Sequence, residues 1–108
     1  MGPFFMGILF KNNNELIKLC EMHQVEKMYL FGSALNENFN AKSDIDFLVK
    51  FKPIELSTYF DNYMNFKERL EKLFGREVDL VEEQTLKNPI LIKSINKSKA
   101  LIYGWENS

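Results

Sequence analysis

Cys20 is the only cysteine in this sequence. A single thiol cannot close an internal disulfide, so no cross-linked scaffold holds the chain, and a reducing compartment suits it. Three prolines and five glycines in 108 residues leave no linker of the Gly-, Pro- or Ser-rich kind. No segment repeats itself, and no low-complexity tract interrupts the pattern. An excess of one charge sign is missing too. Fourteen Lys and Arg against fifteen Asp and Glu give a net charge of −1, which argues against direct DNA binding and against a basic membrane-surface helix. Long apolar runs are absent. The stretch Met1-Gly-Pro-Phe-Phe-Met-Gly-Ile-Leu-Phe10 falls well short of the ~20 residues that span a bilayer, and it has neither a basic leader nor a small-residue cleavage site. It reads as a docking strand or loose terminus, and the protein as cytoplasmic.

What remains is core material. Hydrophobic residues make up 45% of the chain and aromatics 14%, enough for one compact domain over residues 1–108, with residues 1–12 as an extension and 104–108 as a tail. Asn12-Asn-Asn14 signals a helix start, and Leu16, Leu19, Cys20 and His23 follow at helical spacing, predicting a helix over about residues 14–23. Lys27–Phe31 reads as a strand ending at Gly32-Ser33, and Asp44–Phe51 as a second strand closed by Pro53. Tyr59, Phe60, Tyr63, Phe66, Leu70, Leu73 and Phe74 mark one face of a long helix over 57–74, stopped by Gly75. Glu77–Val81 is a third strand. Asn88-Pro89 opens a last helix burying Ile90, Leu91 and Ile95, with Ile92 a further candidate, and Ala100–Tyr103 is a short edge strand. The order α-β-β-α-β-α-β predicts an α+β (mixed α/β) fold, a small mixed sheet with helices packed on it.

Three aspartates sit inside these apolar strands, where an ionised carboxylate is costly unless it is paired or bound to a cation. Asp44 and Asp46 are two residues apart and therefore share one face of their strand, while Ile45 and Phe47 point into the core. Asp79 has the same setting, between Val78 and Leu80. If the first two strands pair antiparallel, Gly32-Ser33 and the first two aspartates fall at one edge of the sheet. The 25-residue connection to the third strand carries the long helix, the crossover that parallel pairing requires. Parallel pairing brings Asp79 beside Asp44 and Asp46. Carboxylates of this kind suit Mg²⁺, and two such ions promote in-line phosphoryl displacement. Gly32 permits close approach of a phosphate, and the turn amides and Ser33 hydroxyl can donate to it.

Gly32-Ser33, ten intervening residues, Asp44-Ile45-Asp46 and a later Asp79 in a Val-Asp-Leu-Val strand resemble the nucleotidyltransferases of the DNA polymerase β superfamily. The short chain and the Ser43-Asp44-Ile45-Asp46 run are most similar to the minimal nucleotidyltransferase (MNT) group. The resemblance implies a polymerase β-like fold over residues 14–103. It implies Asp44 and Asp46 as metal ligands for Mg²⁺, two ions in all, and Asp79 as a metal ligand or general base. Gly32 and Ser33 would hold a nucleoside triphosphate. It also implies transfer of AMP from ATP to a tyrosine of a HEPN-domain toxin, with this chain as the antitoxin. Family members often carry Arg-Gly shortly after the Gly-Ser turn; here the residues are Asn36-Glu37. Lys42 or Arg76 would have to replace that charge, and Lys42 is assigned to the nucleotide.

The departure at Asn36-Glu37 supports an alternative: a weak or inactive binding module that neutralises its partner by occlusion. Other features have plainer readings. His23 reads as a helix-end residue and Cys20 as core. Lys50 and Lys52 read as a solvated strand end, and Lys87, Lys93, Lys97 and Lys99 as a solvated face. The aromatics of the long helix read as packing, with any exposed remainder available to a partner. Trp105 and the question of a homo-oligomer stay open.

Overall fold

Helix α1 (Asn13–Met22) starts where the Asn12 carbonyl accepts from the Leu16 amide at 2.9 Å, and it buries Leu16 and Cys20, one turn apart. It ends at His23, whose Nδ1 donates to the Leu19 carbonyl at 2.8 Å and whose ring lies 5.2 Å from that of Phe66. The histidine is buried as a helix terminator. The computed structural model describes Leu9, residues 11–32 and residues 44–104. Of the N-terminal segment, Leu9 packs into the core, and Leu9 and Lys11 are helical. Residues 1–8 and 10 and the tail with Trp105 lie outside the described residues.

Strands β1 (Val25–Phe31), β2 (Ile45–Phe51), β3 (Val78–Glu82) and β4 (Ala100–Tyr103) form one sheet in the order β3-β2-β1-β4. The β1–β2 and β1–β4 pairs are antiparallel, and the β2–β3 pair is parallel. Between β2 and β3 runs helix α2 (Leu56–Phe74), closed by Gly75 at φ 67°, a left-handed conformation that glycine adopts without penalty. After β3 a single 3₁₀ turn (Glu83–Thr85) follows, which the sequence did not announce. Helix α3 (Pro89–Ser98) then starts as the sequence predicts, with the Asn88 side chain accepting from the Ile90 and Leu91 amides. The α+β reading, the element order and both expected pairings are what the structure has.

The core lies between the sheet and helices α1 and α2. Met28, Leu30, Ile45, Phe47, Val49, Phe51, Val78 and Leu80 face it from the strands, and Leu16, Cys20, Phe66, Leu70 and Phe74 from the helices. Phe47 packs on Phe74 with ring centroids 5.8 Å apart, and Phe51 meets Phe66 edge-on at 6.0 Å. The opposite face holds a smaller cluster of Tyr29, Leu48 and Ile95.

Three expectations about packing are corrected here. Ile90 and Leu91 are 80% and 45% exposed, because α3 meets the sheet along the Ile95 side alone. Phe60 is 68% exposed, since it lies roughly 100° round the helix from Tyr59, at the rim of the stripe that faces the core. Lys99 is not simply solvated: its ammonium sits 4.1 Å from the centre of the Tyr29 ring. Among the described residues, no helix is long and apolar enough to cross a membrane.

Candidate active site

Period-two alternation decides which face of the sheet receives the aspartates. Ile45, Phe47 and Val49 enter the large core, so Asp46 must project from the other face together with Leu48. On β3, Val78 and Leu80 face the same core, and Asp79 projects beside Val81. Register then brings the residues together. Phe31 pairs with Asp46 across β1–β2, and Asp46 pairs with Asp79 across β2–β3. Paired positions on neighbouring strands lie ~4.8 Å apart, so the two aspartates are nearest neighbours on one face.

Gly32 follows Phe31 directly and has φ 76°. A Cβ built there would stand 2.2 Å from Asp46 Oδ2 and 3.1 Å from its carboxyl carbon. The Asp46 carboxylate thus lies against the glycine, in space that any larger residue would occupy. Asp44 immediately precedes β2 and is exposed; its spacing from Asp46 assigns it to the same face. Asp46 is half-buried and Asp79 exposed. Ser33, Asn36, Glu37 and Lys42 lie outside the described residues. Arg76 lines a shallow cleft with Glu68, Glu71, Lys72 and Glu77 at the end of α2.

Helix α3 closes only part of this face. Ile95 covers Tyr29 and Leu48, one step along the strands from the aspartates. The row Phe31–Asp46–Asp79 lies beyond that cluster. Among the described residues, no group of three or more His, Cys, Asp or Glu side chains is arranged to hold a metal ion. The fit to Mg²⁺ is therefore one of donor chemistry and backbone register. Hard carboxylate oxygens on paired positions match an ion that commonly takes one or two carboxylates and completes its shell with phosphate and water.

Two residues that sequence reasoning read as helix packing or left aside grip β3. Tyr63 of α2 donates its hydroxyl to the Leu80 carbonyl, and Glu71 Oε2 accepts from the Val78 amide at 3.0 Å. Lys67, one turn from each, pairs with Glu71 at 3.5 Å. Burial pushes the Tyr63 phenol above its usual range; Lys67 pulls it back, and the Asp79 carboxylate raises it further. The signal available in the sequence was the polar end of a tyrosine on an otherwise apolar stripe.

The fold agrees with what the chain is similar to. The family described as "Polymerase beta, Nucleotidyltransferase" matches residues 14–107. A protein of Methanocaldococcus jannaschii named "Putative protein adenylyltransferase MJ1379" is 32% identical over 95 residues, covering 88% of this chain and 90% of that one. A solved "putative minimal nucleotidyltransferase" superposes with a TM-score of 0.73 at 26% identity, over 93% of this chain and 95% of the other. Two further structures share the fold at 22% identity. One is a toxin-antitoxin with AMP-PNP (TM-score 0.68; 88% of this chain, 75% of that one). The other is a tri-AMPylated HEPN toxin of Shewanella oneidensis in complex with MNT antitoxin (TM-score 0.60; 87% and 71%). The chain belongs to the polymerase β nucleotidyltransferase family and carries its nucleotidyltransferase domain.

Proposed function

We propose that this protein transfers AMP from ATP, with Mg²⁺, to a tyrosine hydroxyl of a HEPN-domain toxin and thereby acts as its antitoxin. The observation that carries this reading is the register that pairs Asp46 with Asp79 while the Asp46 carboxylate rests against Gly32. The adenylyltransferase name of a relative, the AMP-PNP of one structural neighbour and the AMPylated HEPN toxin of another support the nucleotide and the partner.

Asp44, Asp46 and Asp79 would hold the metal ions, and Gly32, Ser33 and Lys42 the triphosphate. When bound, Mg²⁺ supplies charge neutralisation at the phosphates. Asp79 orients the acceptor hydroxyl or takes its proton, and the freed oxygen attacks the α-phosphorus. As that bond forms, the bond from the α-phosphorus to the bridging oxygen breaks. Pyrophosphate leaves along the Gly32-Ser33 turn, where the missing Cβ of Gly32 makes room for the Asp46 carboxylate. The exposure of Asp79 leaves its carboxylate accessible to a hydroxyl carried by another protein.

Incubation with α-labelled ATP, Mg²⁺ and a HEPN-domain partner should place label on a partner tyrosine. The Asp44→Asn/Asp46→Asn double variant should leave the partner unlabelled and toxic. A double variant that still neutralises the toxin supports the occlusion reading instead.

A further inference from the structure

Among the described residues β3 is an edge strand, bonded to β2 on one side only. The Ile45 amide donates to the Glu77 carbonyl at 3.1 Å, so residues 77, 79 and 81 turn their backbone groups toward β2. Residues 78 and 80 turn theirs outward, where an edge is normally left to water or to another chain. Here two of those outward groups are taken, and both by α2. Glu71 accepts from the Val78 amide, and Tyr63 donates to the Leu80 carbonyl. These are the residues immediately before and after Asp79. Leu70 and Phe74 anchor the same helix in the core, so its grip on the strand has a rigid base.

We propose that Tyr63 and Glu71 are positioning residues: together they clamp the backbone on either side of Asp79 and hold its carboxylate beside Asp46. The role rests on the nucleotidyl-transfer reading above, while the clamp itself does not. Asp79 is exposed and receives its place from the strand that carries it. A shift of ~1 Å in such a group is enough to cost orders of magnitude in rate. Lys67 reaches the same Glu71 oxygen, Oε2, at 3.5 Å.

The test uses the full chain with Tyr63→Phe and Glu71→Leu, each made alone and in an Asp79→Asn background. Each single variant should lower kcat for AMP transfer to the partner about tenfold while KM for ATP stays within about twofold. In the Asp79→Asn background, neither should lower the residual rate further. Amide exchange at residues 78–82 should quicken in both variants, with β1 amides unchanged. Transfer at the wild-type rate, or the same loss with and without Asp79, overturns the positioning role. Unchanged exchange at 78–82 overturns the clamp, whatever the transfer result. A wild-type chain that labels no partner overturns the functional reading and the positioning role with it, leaving exchange to decide the clamp alone.

Discussion

The two faces of the sheet are built to opposite rules. Against α1 and α2, inward strand residues other than Glu82 are apolar and almost wholly enclosed: Leu30, Ile45, Phe47 and Val49 are 0% exposed. On the other face, among the described residues, only Tyr29, Leu48 and Ile95 are buried, and the neighbouring row carries Asp46 and Asp79. The first face contributes stability, at about 1.5–3 kcal/mol for each large side chain removed from water. The second places costly carboxylates at the strand ends, where solvent reaches them. The same backbone hydrogen bonds serve both, so the packed face fixes the register that the polar face uses.

Substitutions should separate the two roles. Phe66→Ala, within the packed face, should cost about 3–5 kcal/mol in denaturant unfolding. Any transfer activity it loses should return at temperatures where the variant is folded. Asp46→Asn should do the reverse, lowering AMP transfer by at least about 100-fold with little loss of stability, read by labelled ATP and thermal melting side by side. Gly32→Ala falls between them. Its positive φ costs about 1–3 kcal/mol for a residue with a Cβ, and the new methyl displaces the Asp46 carboxylate, so melting temperature and transfer should both fall.

Cys20 tests how well the packed face excludes water. Burial, and to a lesser extent Glu21, pushes its thiol from 9.0 to about 12. The native protein should therefore resist iodoacetamide at pH 8 and react only as fast as it opens. Because the folded value is the higher one, this group's contribution to stability is complete below pH 9 and fades as pH rises toward 12. The smallest effect belongs to Ile90→Ser on α3. That residue is 80% exposed, so stability should move by no more than about 0.5 kcal/mol.

Much of this plan is legible in the residues themselves. The alternation Ile45–Asp46–Phe47 gives the aspartate face, and the distance from β2 to β3 demands a crossover and hence parallel pairing. Element ends move by a residue or two, as helix and strand termini do. Less visible is what depends on how far one element overlaps another. Ile90 and Leu91 have the spacing of buried residues but find no surface opposite them. Tyr63 and Glu71 are ordinary helix residues until the strand they bind is laid alongside, and Lys99 needs the Tyr29 ring in place to be more than a surface charge. Such contacts join residues through space with no periodic mark in the chain.

The aspartate pair has a consequence for the order in which the molecule matures. Asp46 meets the Gly32 turn through a neighbouring antiparallel strand, but it meets Asp79 only after a nineteen-residue helix has folded back across the sheet. Long-range parallel contacts of this kind form late, because the intervening chain must be closed first. A polypeptide emerging from the ribosome therefore has its first aspartates and glycine turn in hand well before the third carboxylate arrives.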